Sequence, residues 1–376
     1  MYLVCALRHA SCRRQFLATL GLLLCAALAG PAAAEVTLHD ITGREIVLPA
    51  PAQRILIDDG RYLIALSLID KDPVSRLAGW PHDANRLGRA TYAAYKAKFP
   101  GLDDLPRVAS SAAEISVEQV LAARPDLAIF SLGSQPTEAQ RSQIESAGIP
   151  VVVIDFFIHP LENLEPSLRL LGQAVGREKE AEAFLAFRRA RLDAVAARVA
   201  TLPPGDRPRV FLEPHAGMTA DCCNSPGQGN VGDMIAFAGG TNIGSAVIPR
   251  ASGKLNLEYV IAEDPEVYIA TGGSHMEGTG GLLIGPEYDA ARARETLGGL
   301  MKRPGFSGFA AAGTGQVYGF AHQLLNSPLD IVTVEILAKW IHPALFADLD
   351  VGETVRTLNS EFLAIPLEGI NWIGLD

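Results

Sequence analysis

The chain has 376 residues, 48% of them hydrophobic and 20% charged, with a formal net charge of −10. That length holds apolar side chains for two ordinary cores, and two domains are the default. The acidic balance argues against nucleic acid and anionic membrane as partners. Residues 1–34 read as an export signal. Arg8, Arg13 and Arg14 form a basic start, Phe16 to Ala29 is apolar, and Ala32-Ala33-Ala34 is a small-residue end suited to cleavage after Ala34. The apolar run is too short to cross ~30 Å of hydrocarbon as a helix. The string from Ser11 to Leu17 also resembles a twin-arginine signal, which would mean export of a folded protein. The mature chain, residues 35–376, is then expected in the periplasm. Losing three Arg and no acid takes its charge from −10 to −13. Cys5, Cys12 and Cys25 leave with the signal, so only Cys222 and Cys223 remain and no disulfide framework is expected.

Apolar strand-length runs then alternate with amphipathic helix-length ones, the pattern of an α/β fold with mostly parallel sheets. Arg54–Ile57, Leu127–Phe130 and Val151–Asp155 are the candidate strands of the first half. From Glu178 to Val199, Ala181, Leu185, Leu192, Val195 and Val199 recur at helical spacing. This helix is predicted to stop at Leu202-Pro203-Pro204-Gly205, where two prolines prevent continuation. Val210–Leu212, Val267–Ala270 and Gln316–Gly319 are the strands of the second half. The expected organisation is an α/β lobe over 35–165, a helical spine over 166–202 and a second α/β lobe over 203–376.

An internal repeat agrees with that division. Residues 116–129, Ser-Val-Glu-Gln through Arg-Pro-Asp to Ile129, align with residues 256–269, Asn-Leu-Glu-Tyr through Asp-Pro-Glu to Ile269. Each segment reads as a polar N-cap, a Glu in the first helical turn, a helix, an x-Pro-acid turn and a buried strand. A lone first-turn Glu ordinarily complements the helix dipole and nothing more. Glu118 and Glu258, 140 residues apart at matching places, suggest a role shared by two lobes.

Several strings in this order carry a family resemblance. They are Gly43-Arg44-Glu45-Ile46-Val47-Leu48-Pro49 with Pro51 and Arg54, the segment from Glu118 to Asp126, and Gly239-Gly240-Thr241-Asn242. His322 with Asn326-Ser327-Pro328, and Leu337 to Pro343, complete the set. The mature chain resembles the iron-siderophore and cobalamin family of ABC-importer substrate-binding proteins, class III periplasmic binding proteins with two α/β lobes bridged by one long helix. The resemblance implies a monomeric solute carrier, not an enzyme. Its partners would be an ABC permease with its ATPase, and its cargo a ferric siderophore or similar iron chelate. It further implies that one surface Glu per lobe docks onto permease arginines, and Glu118 and Glu258 match those positions.

Ligands of such folds sit at the carboxyl ends of strands. Arg61, Trp80 and Arg250 each follow a strand: the arginines suit anionic oxygens, and an indole can cover the apolar face of a chelate. His215 and His322 are further ligand-binding candidates. With His275 they are also the imidazoles that would suit a transition metal. No two of these three lie at i, i+2 or i, i+4, so a bare-metal site is not the expectation, and no cofactor or catalytic residue is assigned. A haem or cobalamin carrier is the nearest alternative. Gly227-Gln-Gly-Asn-Val-Gly232 matches G-x-G-x-x-G, but Asp221 to Pro226 before it reads as loop, so a dinucleotide site is rejected in favour of a loop feeding a helix at the cleft rim. Cys222 and Cys223 either close a vicinal disulfide or remain two thiols. A periplasmic redox enzyme using them with His215 is the alternative of another class, against which stands the lack of a G-x-S-x-G, C-x-x-C or H-E-x-x-H segment.

Overall fold

The six apolar runs singled out above are all strands in the computed structural model, which describes residues 35–108, 114–203, 205–219, 222–325 and 327–375. The expected signal over residues 1–34 and Asn326 lie outside the described residues. The first half contains β1 (Val36–His39), β2 (Glu45–Leu48), β3 (Ile55–Ile57), β4 (Leu77–Gly79), β5 (Leu127–Ser131) and β6 (Val151–Ile154). β1 and β2 form an antiparallel hairpin, and the others form a parallel sheet in the order β4-β3-β5-β6. Every residue of those four strands is buried. A parallel sheet is covered on both faces, which is why runs such as Val151-Val152-Val153-Ile154 do not alternate with polar residues.

The second half contains β7 (Arg209–Glu213), β8 (Asn224–Pro226), β9 (Thr241–Asn242), β10 (Ser252–Lys254), β11 (Val267–Gly272), β12 (Val317–Ala321) and β13 (Trp372–Gly374). Five of them form a sheet in the order β13-β12-β11-β7-β9, with β13 antiparallel to its neighbour and the other pairings parallel. β8 and β10 make a separate antiparallel ribbon. The edge strands β4, β9 and β13 have two or three residues, too few to show a period. Pairing with a neighbour defines them.

The repeat proves to be topological as well as local. Counted along the chain, β4-β3-β5-β6 and β9-β7-β11-β12 are both sheets of order 2-1-3-4. The matched helices are Val117–Ala123 and Leu257–Glu263, capped by the side chains of Ser116 and Asn256, which accept from the backbone N–H groups of Gln119 and Tyr259. Both end on a left-handed residue that is not glycine, Arg124 at φ 47° and Asp264 at φ 43°. Such a conformation is strained for a side-chain-bearing residue. A matching arginine holds each end. Arg54 donates to the carbonyls of Ala123 and Arg124 at 3.0 and 3.2 Å, and Arg209 to those of Glu263 and Asp264 at 2.7 and 3.1 Å. Asp126 and Glu266, after the prolines, accept from the backbone N–H of Arg54 and Arg209.

The predicted long helix spans Glu178–Val199, 22 residues, or ~33 Å of axis. The helix before it, Pro160–Val175, runs across the 165/166 boundary expected from sequence, because its buried Leu164, Leu168 and Leu171 continue through that point. Arg188 of the long helix is buried and donates to Asp330 at 2.6 and 3.0 Å and to the Pro160 carbonyl at 3.2 Å. Arg191 pairs with buried Glu335 at 2.6 Å. The two separate cores anticipated from length are not what forms. One apolar cluster runs from Leu38 and Ile57 through Phe184 and Leu185 to Ile336 and Ile365, and each half adds an outer cluster of its own. The long helix, packed between the halves, makes the central core continuous.

Candidate functional site

The second sheet delivers three histidines to one place. His215 follows β7, His275 follows β11, and His322 follows β12. His215 adopts φ 52°, and its backbone N–H donates to the Thr271 hydroxyl at 3.0 Å. The same hydroxyl contacts His322 Nδ1 at 2.8 Å, so one buried threonine sets the positions of two imidazoles. His215 Nδ1 shares a 2.8 Å hydrogen bond with His275 Nε2, and the rings of His215 and His322 lie 3.6 Å apart, centroid to centroid. Burial, then neighbouring His275, pushes His215 down to about 4. Burial lowers His275, and burial followed by His215, His275 and Arg61 holds His322 well below the usual imidazole range. Near neutral pH the cluster is uncharged.

His215 and His322 open onto a cavity of about 570 Å³ whose other walls include Pro226, Asn230, Arg250 and Leu325. Arg250 reaches it from the loop before β10, is exposed, and makes no hydrogen bond or ion pair among the described residues. No described carboxylate lines this cavity. Three of the five residues assigned to ligand binding from sequence, His215, Arg250 and His322, are thus brought together.

Two others have different surroundings. Arg61 is only 9% exposed, and its guanidinium grips buried Asp59 at 2.8 and 2.7 Å while lying 3.9 Å over the Phe157 ring. It is near enough to His322 to oppose that ring's protonation but does not line the cavity, and it is one half of an ion pair. Asp59 also accepts from Arg86 at 2.6 Å. Trp80 requires a correction: it is 0% exposed, its indole N–H donates to the Leu102 carbonyl at 3.0 Å, and His82 stacks on it. The ring packs in the continuous central apolar cluster and has no face left for a ligand. Position after a strand did not distinguish it, because β4 is an edge strand and the loop after it folds inward.

The first lobe also places carboxylates that sequence reasoning did not single out. Asp58 accepts from the Ser131 backbone and hydroxyl and from the Ser134 hydroxyl, yet full burial pushes it up to about 7. Asp83 is raised to about 6 by burial and then by Asp59, and its Oδ2 is a buried atom without a hydrogen-bond partner among the described residues, with Arg86 Nε 4.0 Å away. The aspartates follow strands, and that was the only available signal. Their burial depends on how the loops pack.

The glycine-rich string is a contact between the lobes. Asn230 donates from its backbone N–H to the Ile158 carbonyl at 2.6 Å and from its side chain to the Phe157 carbonyl. Gly229, at φ +101°, sits where a Cβ would come within 2.9 Å of the Ile158 oxygen, so only glycine allows the approach. Asp155 orders the opposing loop by accepting from the N–H groups of Phe157, Ile158 and His159. Asn230, missed as a site residue, both lines the cavity and ties the lobes. Cys222 and Cys223 are joined to each other as a vicinal disulfide, with Cys223 buried and Cys222 half-buried. Glu118 and Glu258 are both exposed in the first turns of their helices.

Among the described residues, no group of three or more His, Cys, Asp or Glu side chains is arranged to hold a metal ion, and no helix is long and apolar enough to cross a membrane. The site offers neutral nitrogen donors and one unpaired guanidinium around a single cavity.

Residues 67–324 match the family model described as periplasmic binding protein. No curated protein sequence matches the chain. Among solved structures, the TroA-like periplasmic binding protein FepB of Veillonella parvula superposes with a TM-score of 0.81 at 24% identity, covering 91% of this chain and 100% of that one. The molybdate periplasmic binding protein MolA of Haemophilus influenzae gives 0.68 at 17% identity, covering 89% and 99%. Helicobacter pylori CeuE, solved as a nickel–histidine complex, gives 0.64 at 18% identity, covering 88% and 96%. These likenesses establish a shared fold. The chain belongs to the periplasmic binding protein family of the iron-siderophore and cobalamin type, the solute-binding and non-enzymatic components of ABC importers.

Proposed function

We propose that this protein carries a ferric siderophore or similar anionic iron chelate in the cleft between its lobes and hands it to an ABC permease with its ATPase. The observation that carries this reading is the 570 Å³ cavity, where unpaired Arg250 faces neutral His215 and His322 with no described carboxylate alongside. A guanidinium without a protein partner suits a ligand that brings its own anionic oxygens. A cavity of several hundred Å³ suits a chelate far better than a single ion. The protein acts as a monomer, without a resident cofactor and without a covalent step. Glu118 and Glu258, one exposed carboxylate on each lobe, are the docking points for the permease.

The test is equilibrium titration of the purified protein with a panel of ferric catecholates, hydroxamates and carboxylates, alongside haem, cobalamin, molybdate and free Zn²⁺ and Mn²⁺. Saturable 1:1 binding of at least one ferric chelate tighter than ~10 μM, or roughly −7 kcal/mol, with the chelate recovered unaltered, is the expected result. Tight binding confined to haem, cobalamin, molybdate or a bare ion would replace the chelate reading.

A further inference from the structure

We infer that the Cys222–Cys223 disulfide is a reducible lock on the wall of the cargo cavity: a dithiol that opens it loosens the β8–β10 ribbon and weakens the hold on the cargo. The cavity's role as the cargo site rests on the reading above. The lock adds a second site with a substrate of its own.

The cysteine pair extends the ladder of that ribbon. β8 and β10 pair from Pro226 with Ser252 to Asn224 with Lys254. The ladder runs on through the Cys223 carbonyl, which accepts from the Leu255 N–H at 2.9 Å. At the other end the Gly227 N–H donates to the Ala251 carbonyl at 3.2 Å, next to Arg250. Asn224, Ser225 and Pro226 line the cargo cavity from one side of the ribbon, and Arg250 to Gly253 line it from the other. Asn224 also donates to the Pro214 carbonyl at 3.1 Å, beside His215. The ribbon stands apart from the five-stranded sheet, so that sheet's ladder does not hold it. Joining the sulfurs closes a small ring through the peptide between the two residues. Reduction returns backbone freedom to both of them, at the end of a ribbon that carries cavity wall along its length.

One sulfur of the pair is within reach. Cys223 is fully buried in the outer cluster of the second half, with Ile243, Ile248 and Leu255. Cys222 is half-buried and lines a separate cavity of about 650 Å³ together with Lys254 and Phe306. No described carboxylate lines that cavity, and Arg303 on its wall is paired with Glu213. Positive charge from Lys254 favours the approach of a thiolate. A thiolate of the dithiol attacks Cys222 Sγ, the bond to Cys223 breaks, and Cys223 leaves as a thiolate that takes up a proton. The second thiolate of the reductant attacks its own sulfur in the mixed disulfide, so that Cys222 is released and protonated. The protein gains two electrons and two protons, and the dithiol ends as a disulfide. Because cargo and reduction act on the same ribbon, the coupling is reciprocal. Bound cargo shifts the reduction equilibrium by the factor by which reduction weakens cargo binding.

The experiment compares the oxidised and reduced forms of the intact protein. Thiol labelling read by mass spectrometry should find Cys222 and Cys223 unlabelled as isolated, and both labelled after treatment of the folded protein with dithiothreitol. Amide exchange over 223–226 and 251–255 should be at least ~10-fold faster in the reduced form, with Val267–Gly272 unchanged. Affinity for a gallium(III) tris-catecholate, whose metal thiols do not reduce, should fall ~10-fold on reduction and return on reoxidation. Cys222→Ser combined with Cys223→Ser should match the reduced form with or without dithiothreitol. Labelling without reductant, or exchange that reduction does not change, would overturn the lock. Faster exchange with equal affinity would overturn its coupling to the cavity and leave the chelate reading intact. If neither form binds a ferric or gallium chelate, the chelate reading falls and the exchange rates decide the lock. The wild-type comparison stands by itself if the double variant does not fold.

Discussion

Arg61 and Arg250 look alike in the sequence, yet removing them should have opposite consequences. Arg250→Ala takes away an exposed, unpaired cation, so affinity for an anionic chelate should fall by ~1.5–3 kcal/mol while the melting temperature stays within error. Arg61→Ala strips buried Asp59 of a bidentate partner but leaves Arg86 bound to it, so the stability loss should be about 1–3 kcal/mol, below the cost of stranding a buried charge altogether. Chemical denaturation beside ligand titration separates the two, and a merely weakened ligand with unchanged stability would return Arg61 to the binding site. Trp80→Phe should leave affinity unchanged but lose ~1–3 kcal/mol, since it removes core volume and strands the Leu102 carbonyl. Stability should also depend on pH from two sides. His215 titrates about 4 when folded, below its ordinary 6.5, so its contribution is complete above 6.5 and is lost as pH falls towards 4. Asp58 is raised from 3.8 to about 7, so its contribution is complete in acid and is lost as pH rises through 7. In urea midpoints from pH 4 to 8, His215→Gln should therefore remove a rise with pH between about 4 and 6.5, and Asp58→Asn a fall with pH between about 4 and 7. Curves parallel to the wild type would show that these groups do not govern the profile.

Among the elements, the helices Val117–Ala123 and Leu257–Glu263 are the clearest pair, with the same cap, the same left-handed end and the same bracing arginine. That duplicated frame keeps Glu118 and Glu258 at the solvent-facing start of a helix fixed to each sheet. Replacing both by Ala should leave chelate affinity within ~0.5 kcal/mol, with a stability loss of ~0.3–1 kcal/mol per helix from the lost dipole complement. Uptake by a reconstituted permease should drop sharply, and low-salt docking should weaken most, because exposed charge pairs act most strongly there. Unimpaired uptake would leave the glutamates as helix-end residues only. The loop from Gly227 to Gly232 is a second element whose role emerged late. Its string matches G-x-G-x-x-G but read as a loop feeding a helix, and its backbone serves close approach between lobes.

For the whole molecule, the helix Glu178–Val199 is a structural member of both halves, bound by Arg188 to Asp330 and to the Pro160 carbonyl. Asp330→Ala leaves a buried guanidinium uncompensated and should cost about 3–5 kcal/mol, much of it recovered when Arg188→Met is added. A cost below ~1 kcal/mol, read by calorimetry, would mean that the pair does not brace the lobes. Much of the architecture was legible beforehand. Fully apolar runs marked buried parallel strands, helical spacing closed by Pro203-Pro204 marked the spine, and a repeated cap-Glu-helix-Pro-acid string marked two lobes. These features are local, written in period, capping and turn chemistry, so the sequence alone determines them. It also determines which side chains follow strands, and hence the list that contained His215 and His322, whereas Arg250, expected after a strand, sits in the loop just before β10. What it could not determine was which strand-end residues meet, which are neutralised and which are buried. Trp80 and Arg61 were indistinguishable from Arg250 by position, and three histidines 60 and 47 residues apart bore no metal-like spacing. Only the parallel order β7-β11-β12 sets those histidines side by side, and only loop packing gives Arg61 a buried aspartate and leaves Arg250 without a partner. Side-chain charge and donor capacity are properties of a residue, but availability to a ligand is a property of its neighbours, which tertiary structure decides.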